Sequence, residues 1–130
     1  MRATNPWLLA AAISGLVAVV AGAYGWHGLR ADDGARAVFN PGVHYQMWHT
    51  LALLAVAWLA DSRPRHTAAG KWARRAGVCF AAGIAVFAGS MYFYGIYGGV
   101  PLPGVTPAGG LALMAGWVCL GVAAVARDRT

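Results

Sequence analysis

Four long runs of this chain carry no charged residue: Trp7 to Trp26, Val43 to Ala60, Ala76 to Gly98, and Ala108 to Ala126. Each approaches the roughly 20 residues an α-helix needs to cross the hydrocarbon core of a bilayer. In a chain of 130 residues these runs leave only short connections, so no soluble domain fits beside them. With 59% hydrophobic and 11% charged residues, a water-soluble surface is excluded as well. The expected fold is all-α, an integral membrane four-helix bundle forming one transmembrane domain over residues 1–130, with spans near 7–26, 43–60, 76–98 and 108–126. Its first partner is the lipid bilayer.

A net charge of +6 on a soluble chain would suggest nucleic acid, but here the charges mark topology. Arg2, Arg63, Arg65, Lys71, Arg74, Arg75, Arg127 and Arg129 fall on one side, opposed only by Asp61 and Asp128. The other side holds Arg30 and Arg36, balanced by Asp32 and Asp33. The positive-inside rule places both termini in the cytoplasm, and no nucleic-acid partner is implied. Arg2, the apolar run and the "AGA" at 21–23 imitate a cleavable secretion signal, but the run is longer than a signal core and reads as a true first span.

The first outer loop, "LRADDGARAVFN", spaces Leu29, Ala35, Val38 and Phe39 as a short amphipathic surface helix would, with Pro41 and Gly42 turning the chain into the second span. Pro64 prevents that span from continuing inward, and "GGVPLPGVTP" forms a stiff cap before the fourth. Small residues, namely Ser14, Ala18 and Gly22, then Gly77, Gly83, Gly89 and Gly95, then Ala108, Ala112 and Gly116, provide faces for close helix contact. The same faces suit a homo-oligomer or a place in a larger membrane complex. Cys79 and Cys119 lack a CxxC spacing and read as reduced packing residues.

The polar side chains are lopsided. Tyr24 and His27 end the first span; His44, Tyr45, Gln46, His49 and Thr50 begin the second; Ser90, Tyr94 and Tyr97 lie in the outer part of the third, and Thr106 opens the fourth. At about 100° per residue Tyr45, Gln46 and His49 share one face, which should point inward because polar groups in a span avoid lipid. His44, Trp48 and Leu51 then face acyl chains. His27, Tyr45, Gln46, His49, Ser90 and Tyr94 are therefore the candidate ligand-binding residues, converging in one outward-side pocket.

Three readings fit such a pocket: a satisfied hydrogen-bond network that fixes helix register, a site for a small ligand or lipid, and a copper site built on His27 and His49 with Met91 or Met114. Nothing assigns catalytic or metal-ligating residues, since the spans contain no carboxylate and no HExxH or CxxC, so a non-enzyme without a cofactor is expected. A transporter or channel needs a polar path to both sides, and the inner halves are apolar. Trp7, Trp26, Trp117, Tyr92 and Tyr97 fit interfacial aromatic belts or lipid packing.

Four blocks in order, "AGAYGWHGLR", "VHYQMWHTLALL", "FAGSMYFYG" and "TPAGGLALMAGW", resemble the signature blocks of a family of small bacterial inner-membrane proteins, domain of unknown function 423, itself similar to a small mitochondrial membrane protein of animals. Trp26, His27, Gly28 and Leu29 match the family's "AHGL", with Trp in place of Ala. Tyr45 and Gln46 match its "YQ", and His49 to Leu54 its "HALALL", with Thr50 in place of Ala. Gly89 and Ser90 match its "GS", and Thr106, Pro107, Gly109 and Gly110 its "TP.GG", whereas His44 falls outside the pattern. The resemblance implies fold, topology and membrane location and carries no biochemical activity.

Overall fold

The computed structural model describes residues 4–29 and 32–127, and within them the chain is helical with no strand. Helix α1 runs over Pro6–Ala23 and widens into a π-helical turn, Tyr24–Gly28. Helices α2 (Asp33–Ser62), α3 (Ala68–Tyr97) and α4 (Val105–Val125) follow. Local chemistry sets the starts: Asn5 Oδ1 accepts from the Trp7 and Leu8 amides, Asp32 Oδ1 from Ala35, and Thr67 Oγ1 from Gly70. Each satisfies donors that a first helical turn leaves free. Gly98, at φ 78°, ends α3, and Gly104, at φ 80°, precedes α4; both sit in the left-handed region that glycine enters without a Cβ clash.

Two boundaries differ from the sequence expectation. Helix α2 begins at Asp33 and passes through Pro41, so the separate surface helix and the turn at Pro41 and Gly42 do not form. The proline removes one ladder bond near the helix start. Against that loss, Phe39 is buried two residues earlier, between the Tyr24 and Tyr92 rings and against Gly95. Helix α3 begins at Ala68 rather than Ala76, so Lys71, Arg74 and Arg75 lie in its first turns. Arg74 donates from Nη2 to the Ala60 carbonyl and from Nη1 to the Gly70 carbonyl, 2.9 Å each, tying the end of α2 to the start of α3.

Helix α1 with its π turn, α3 and α4 are each long and apolar enough to cross a membrane. Helix α2 has the length, but His44, Tyr45, Gln46 and His49 dilute its apolar character. Helices α2 and α3 pair at the centre, α1 packs on α2, and α4 packs on α3. The core lies where they meet: Ala11, Ala52, Leu53, Val56, Ala76, Phe80, Ile84 and Leu113.

The α3–α4 seam explains why so many small residues are needed. Thr106 meets Ser90, Gly109 meets Phe87, Leu113 meets Gly83, and Gly116 meets Phe80. Each step of three or four residues along α4 is matched by the same step backward along α3. That is the rhythm of an antiparallel coiled coil, here with a glycine opposite each large side chain. The rhythm continues through buried Ala76 and Ala73 on α3 and Leu120 and Ala123 on α4. The small-residue stripes expected from sequence shift accordingly. Ala108 and Gly89 lie outside the seam, both exposed, and a Cβ on Gly89 would meet nothing within 4 Å.

The half-buried thiols of Cys79 and Cys119 flank this seam on the two paired helices. Mild oxidation of membranes with copper–phenanthroline should join them inside one chain, two protons and two electrons leaving to the oxidant, and should remove both alkylatable thiols together. Cross-linking only between chains would contradict the register.

Candidate functional site

The six candidate residues fall into separate environments instead of one pocket. Gln46 turns toward α1 and α3. Its Oε1 accepts from the Tyr92 hydroxyl at 2.5 Å, and its Nε2 donates to the Ser14 carbonyl at 3.0 Å and to Ser14 Oγ at 3.3 Å. Ser14 and Thr50 hydroxyls lie 2.6 Å apart, and Thr50 donates to the Gln46 carbonyl at 2.8 Å. A hydroxyl has one proton. Thr50 spends its proton on that carbonyl, so Ser14 donates to Thr50, and every bond in the network has a fixed direction. The result links α1, α2 and α3 with every polar side-chain group of Gln46, Ser14 and Thr50 engaged.

Ser90 belongs to the α3–α4 seam. Its hydroxyl donates to the Phe87 carbonyl at 2.8 Å and therefore accepts from Thr106 at 2.7 Å. His27 is exposed in the π turn, and Tyr94 is half-buried on α3; neither lines the cavity described below. His27 and His49 are not brought together: the π turn packs against the first turns of α2, while His49 sits among α3 and α4 side chains. Among the described residues no three His, Cys, Asp or Glu side chains cluster as metal ligands.

His49 is only 6% exposed. Its Nδ1 lies 2.6 Å from the Tyr45 carbonyl of the preceding turn. A carbonyl only accepts, so Nδ1 carries the proton and Nε2 of the neutral ring is an acceptor. Nε2 has no hydrogen-bond partner among the described residues. The ring stacks near Tyr45 and sits 5.8 Å from Phe80 and 6.1 Å from Trp117, centroid to centroid. His49 lines a cavity of about 530 Å³ between α2, α3 and α4, with Tyr45, Trp48, Phe87, Gly110, Leu113, Met114 and Trp117. Trp48, Met114 and Trp117 are at least half exposed, so the cavity opens sideways along the helices, where a bilayer would lie. No charged residue lines it.

Helical spacing brought Tyr45 and His49 together as expected, whereas Gln46, one residue along, diverges to the other side of α3. Ser14 and Tyr92 were read from sequence as a packing residue and a belt residue, and both prove to be Gln46 partners. Trp48 and Trp117, lipid-facing or belt residues by sequence, are at least half exposed and wall the cavity. The spacing Tyr45, Trp48, His49 was the available signal, because i+3 and i+4 neighbours share a face.

A second cavity, about 380 Å³, lies between α1 and α3 over Gln46 and Leu53. Its polar members, Ser14 and Gln46, are already paired with each other.

Long apolar helices packed as neighbours define a small multi-pass protein of the inner membrane. The chain belongs to the protein family of unknown function DUF423, which matches residues 21–110. It is 38% identical over 121 residues to the membrane protein YwdK of Bacillus subtilis, covering 92% of this chain and 95% of that relative. It is 36% identical over 118 residues to a membrane protein of Haemophilus influenzae, covering 89% and 90%. With the inner membrane protein YgdD of Escherichia coli K12 it shares 35% over 124 residues, covering 94% and 91%. No solved structure matches it.

Proposed function

We propose that this is a non-catalytic inner-membrane protein that takes a small lipophilic molecule from the bilayer into the cavity beside His49. The observation that carries this reading is the His49 Nε2 acceptor, without a partner among the described residues, on a residue 6% exposed that lines an aromatic cavity. Nε2 retains some accessible surface, and in an apolar setting an acceptor without a bond costs up to about 1–3 kcal/mol. Gln46, Ser14 and Thr50 are committed to one another and serve the fold.

The test is retention. Protein extracted gently from its membrane should carry a small lipophilic molecule detectable by native mass spectrometry. Met114→Trp, which adds bulk at the exposed rim, should lose it without a change in melting temperature. A protein partner at fixed stoichiometry seated over Trp48 and Trp117, with no small molecule, would replace this reading with that of an accessory subunit.

The same proposal sets the four helices as a bundle with both termini cytoplasmic, supported by Arg63, Arg65, Lys71, Arg74 and Arg75 gathered at the α2–α3 connection. A fluorescent protein fused after Thr130 should therefore be bright and an alkaline phosphatase fused there inactive; the reverse pattern would invert the topology.

A further inference from the structure

The cavity beside His49 has features that narrow its ligand further. It contains no cation, and the basic residues of the chain cluster at the α2–α3 connection, so a phosphate headgroup placed here would be a buried charge without a partner. A plain acyl chain would leave Nε2 unbonded. Tyr45, Trp48, Phe87 and Trp117 supply flat apolar walls, with the Tyr45 and Phe87 rings 5.0 Å apart, which favour a planar ring over a flexible chain. The tautomer decides the rest. With the Nδ1 proton held on the Tyr45 carbonyl at 2.6 Å, Nε2 of the uncharged ring accepts and does not donate.

Resting on the reading that this cavity holds a lipophilic ligand, we propose that it is selective for a lipid whose head is a hydroxylated aromatic ring, the chemistry of a membrane quinol, and discriminates against the oxidised quinone. The quinol hydroxyl donates to Nε2. A quinone offers only carbonyl acceptors, and an acceptor facing an acceptor is repulsive. In the uncharged ring, moving the proton to Nε2 would rescue the quinone only by setting a bare Nδ1 against the Tyr45 carbonyl, so the backbone of α2 favours the quinol. The ring would lie between the aromatic walls, and its tail would leave past Met114 and Trp117 into the bilayer.

The experiment is equilibrium binding by calorimetry, under anaerobic conditions, to the full chain in nanodiscs, with three probes: a decyl-substituted benzoquinol, the matching quinone, and decylbenzene. The quinol should bind at least about tenfold more tightly than the quinone, the scale of one hydrogen bond to a buried acceptor. His49→Leu should erase that ratio, and Met114→Trp should weaken all three probes. Equal binding of quinol, quinone and decylbenzene, all blocked by Met114→Trp, would overturn the head-group selectivity while leaving a lipophile-binding cavity. Tighter binding of the quinone would overturn the tautomer argument and the proposal with it. Failure of all three probes to bind would remove the ligand reading as a whole. Should His49→Leu not fold, the wild-type ratio of quinol to quinone alone decides between these outcomes.

Discussion

Gly109→Ala is expected to destabilise the protein by about 3 kcal/mol, a large loss for one methyl group. The added Cβ would lie 2.5 Å from the Phe87 backbone nitrogen and 2.8 Å from its Cα. Backbone cannot rotate out of the way as a side chain can, so α3 and α4 must separate, and with them the Gly83–Leu113 and Gly116–Phe80 contacts on either side. Gly89→Ala is the control on the neighbouring helix: its Cβ meets nothing within 4 Å, and replacing a mid-helix glycine should be neutral or stabilise by up to about 1 kcal/mol. Denaturation in detergent followed by circular dichroism should show opposite signs for the two. Equal effects would mean that the seam does not form as described.

The second large effect is expected at Gln46. Gln46→Leu keeps the side-chain volume but removes the acceptor of Tyr92 and the donor to Ser14. A hydrogen bond between membrane helices is worth only about 0.6–1 kcal/mol, but a stranded buried hydroxyl costs about 1–3 kcal/mol, so roughly 2–3 kcal/mol should be lost. Most of that loss belongs to the orphaned Tyr92 hydroxyl. Adding Tyr92→Phe to Gln46→Leu should therefore recover stability, and the double variant should unfold later than Gln46→Leu alone. If the two losses simply add, the network carries no coupling.

Much of the architecture was legible because lipid imposes a crude rule: α1 and α4 follow uncharged runs closely, and α3 contains a third, extended by two turns at its start. Charge was a poor guide to helix ends, since a helix need not stop at the membrane surface. Asp32 and Thr67 were the better signals. Each is a capping residue placed three before the amide it accepts, and each marks the true start of α2 or α3. Pro41 misled for a related reason: its missing donor costs one bond, which the burial of Phe39 offsets. The α3–α4 seam is written in the order Phe80, Gly83, Phe87, Ser90 and Thr106, Gly109, Leu113, Gly116, but alanine and glycine are so frequent nearby that several registers look alike until the helices are packed.

The candidate site was half legible. Tyr45 and His49 lie one helical turn apart and share a face whatever surrounds them. That Gln46 turns the other way depends on where α1 and α4 pack, which no periodicity within α2 contains. The charge pattern places His27 at the same expected depth, but the π turn leaves it exposed. Depth alone does not bring two side chains together.

Two nearby polar residues of α2 thus turn to different sides, Gln46 joining α1, α2 and α3 and His49 lining the cavity. The most direct measurement compares His49→Leu with wild type, scoring melting temperature and retained small molecules in the same gently extracted samples. Unchanged or higher stability with loss of a lipophilic molecule that wild type carries is the predicted result, because nothing among the described residues bonds to Nε2 and leucine suits the apolar walls. A His49→Leu protein that melts well below wild type while holding the same molecules would contradict the assignment.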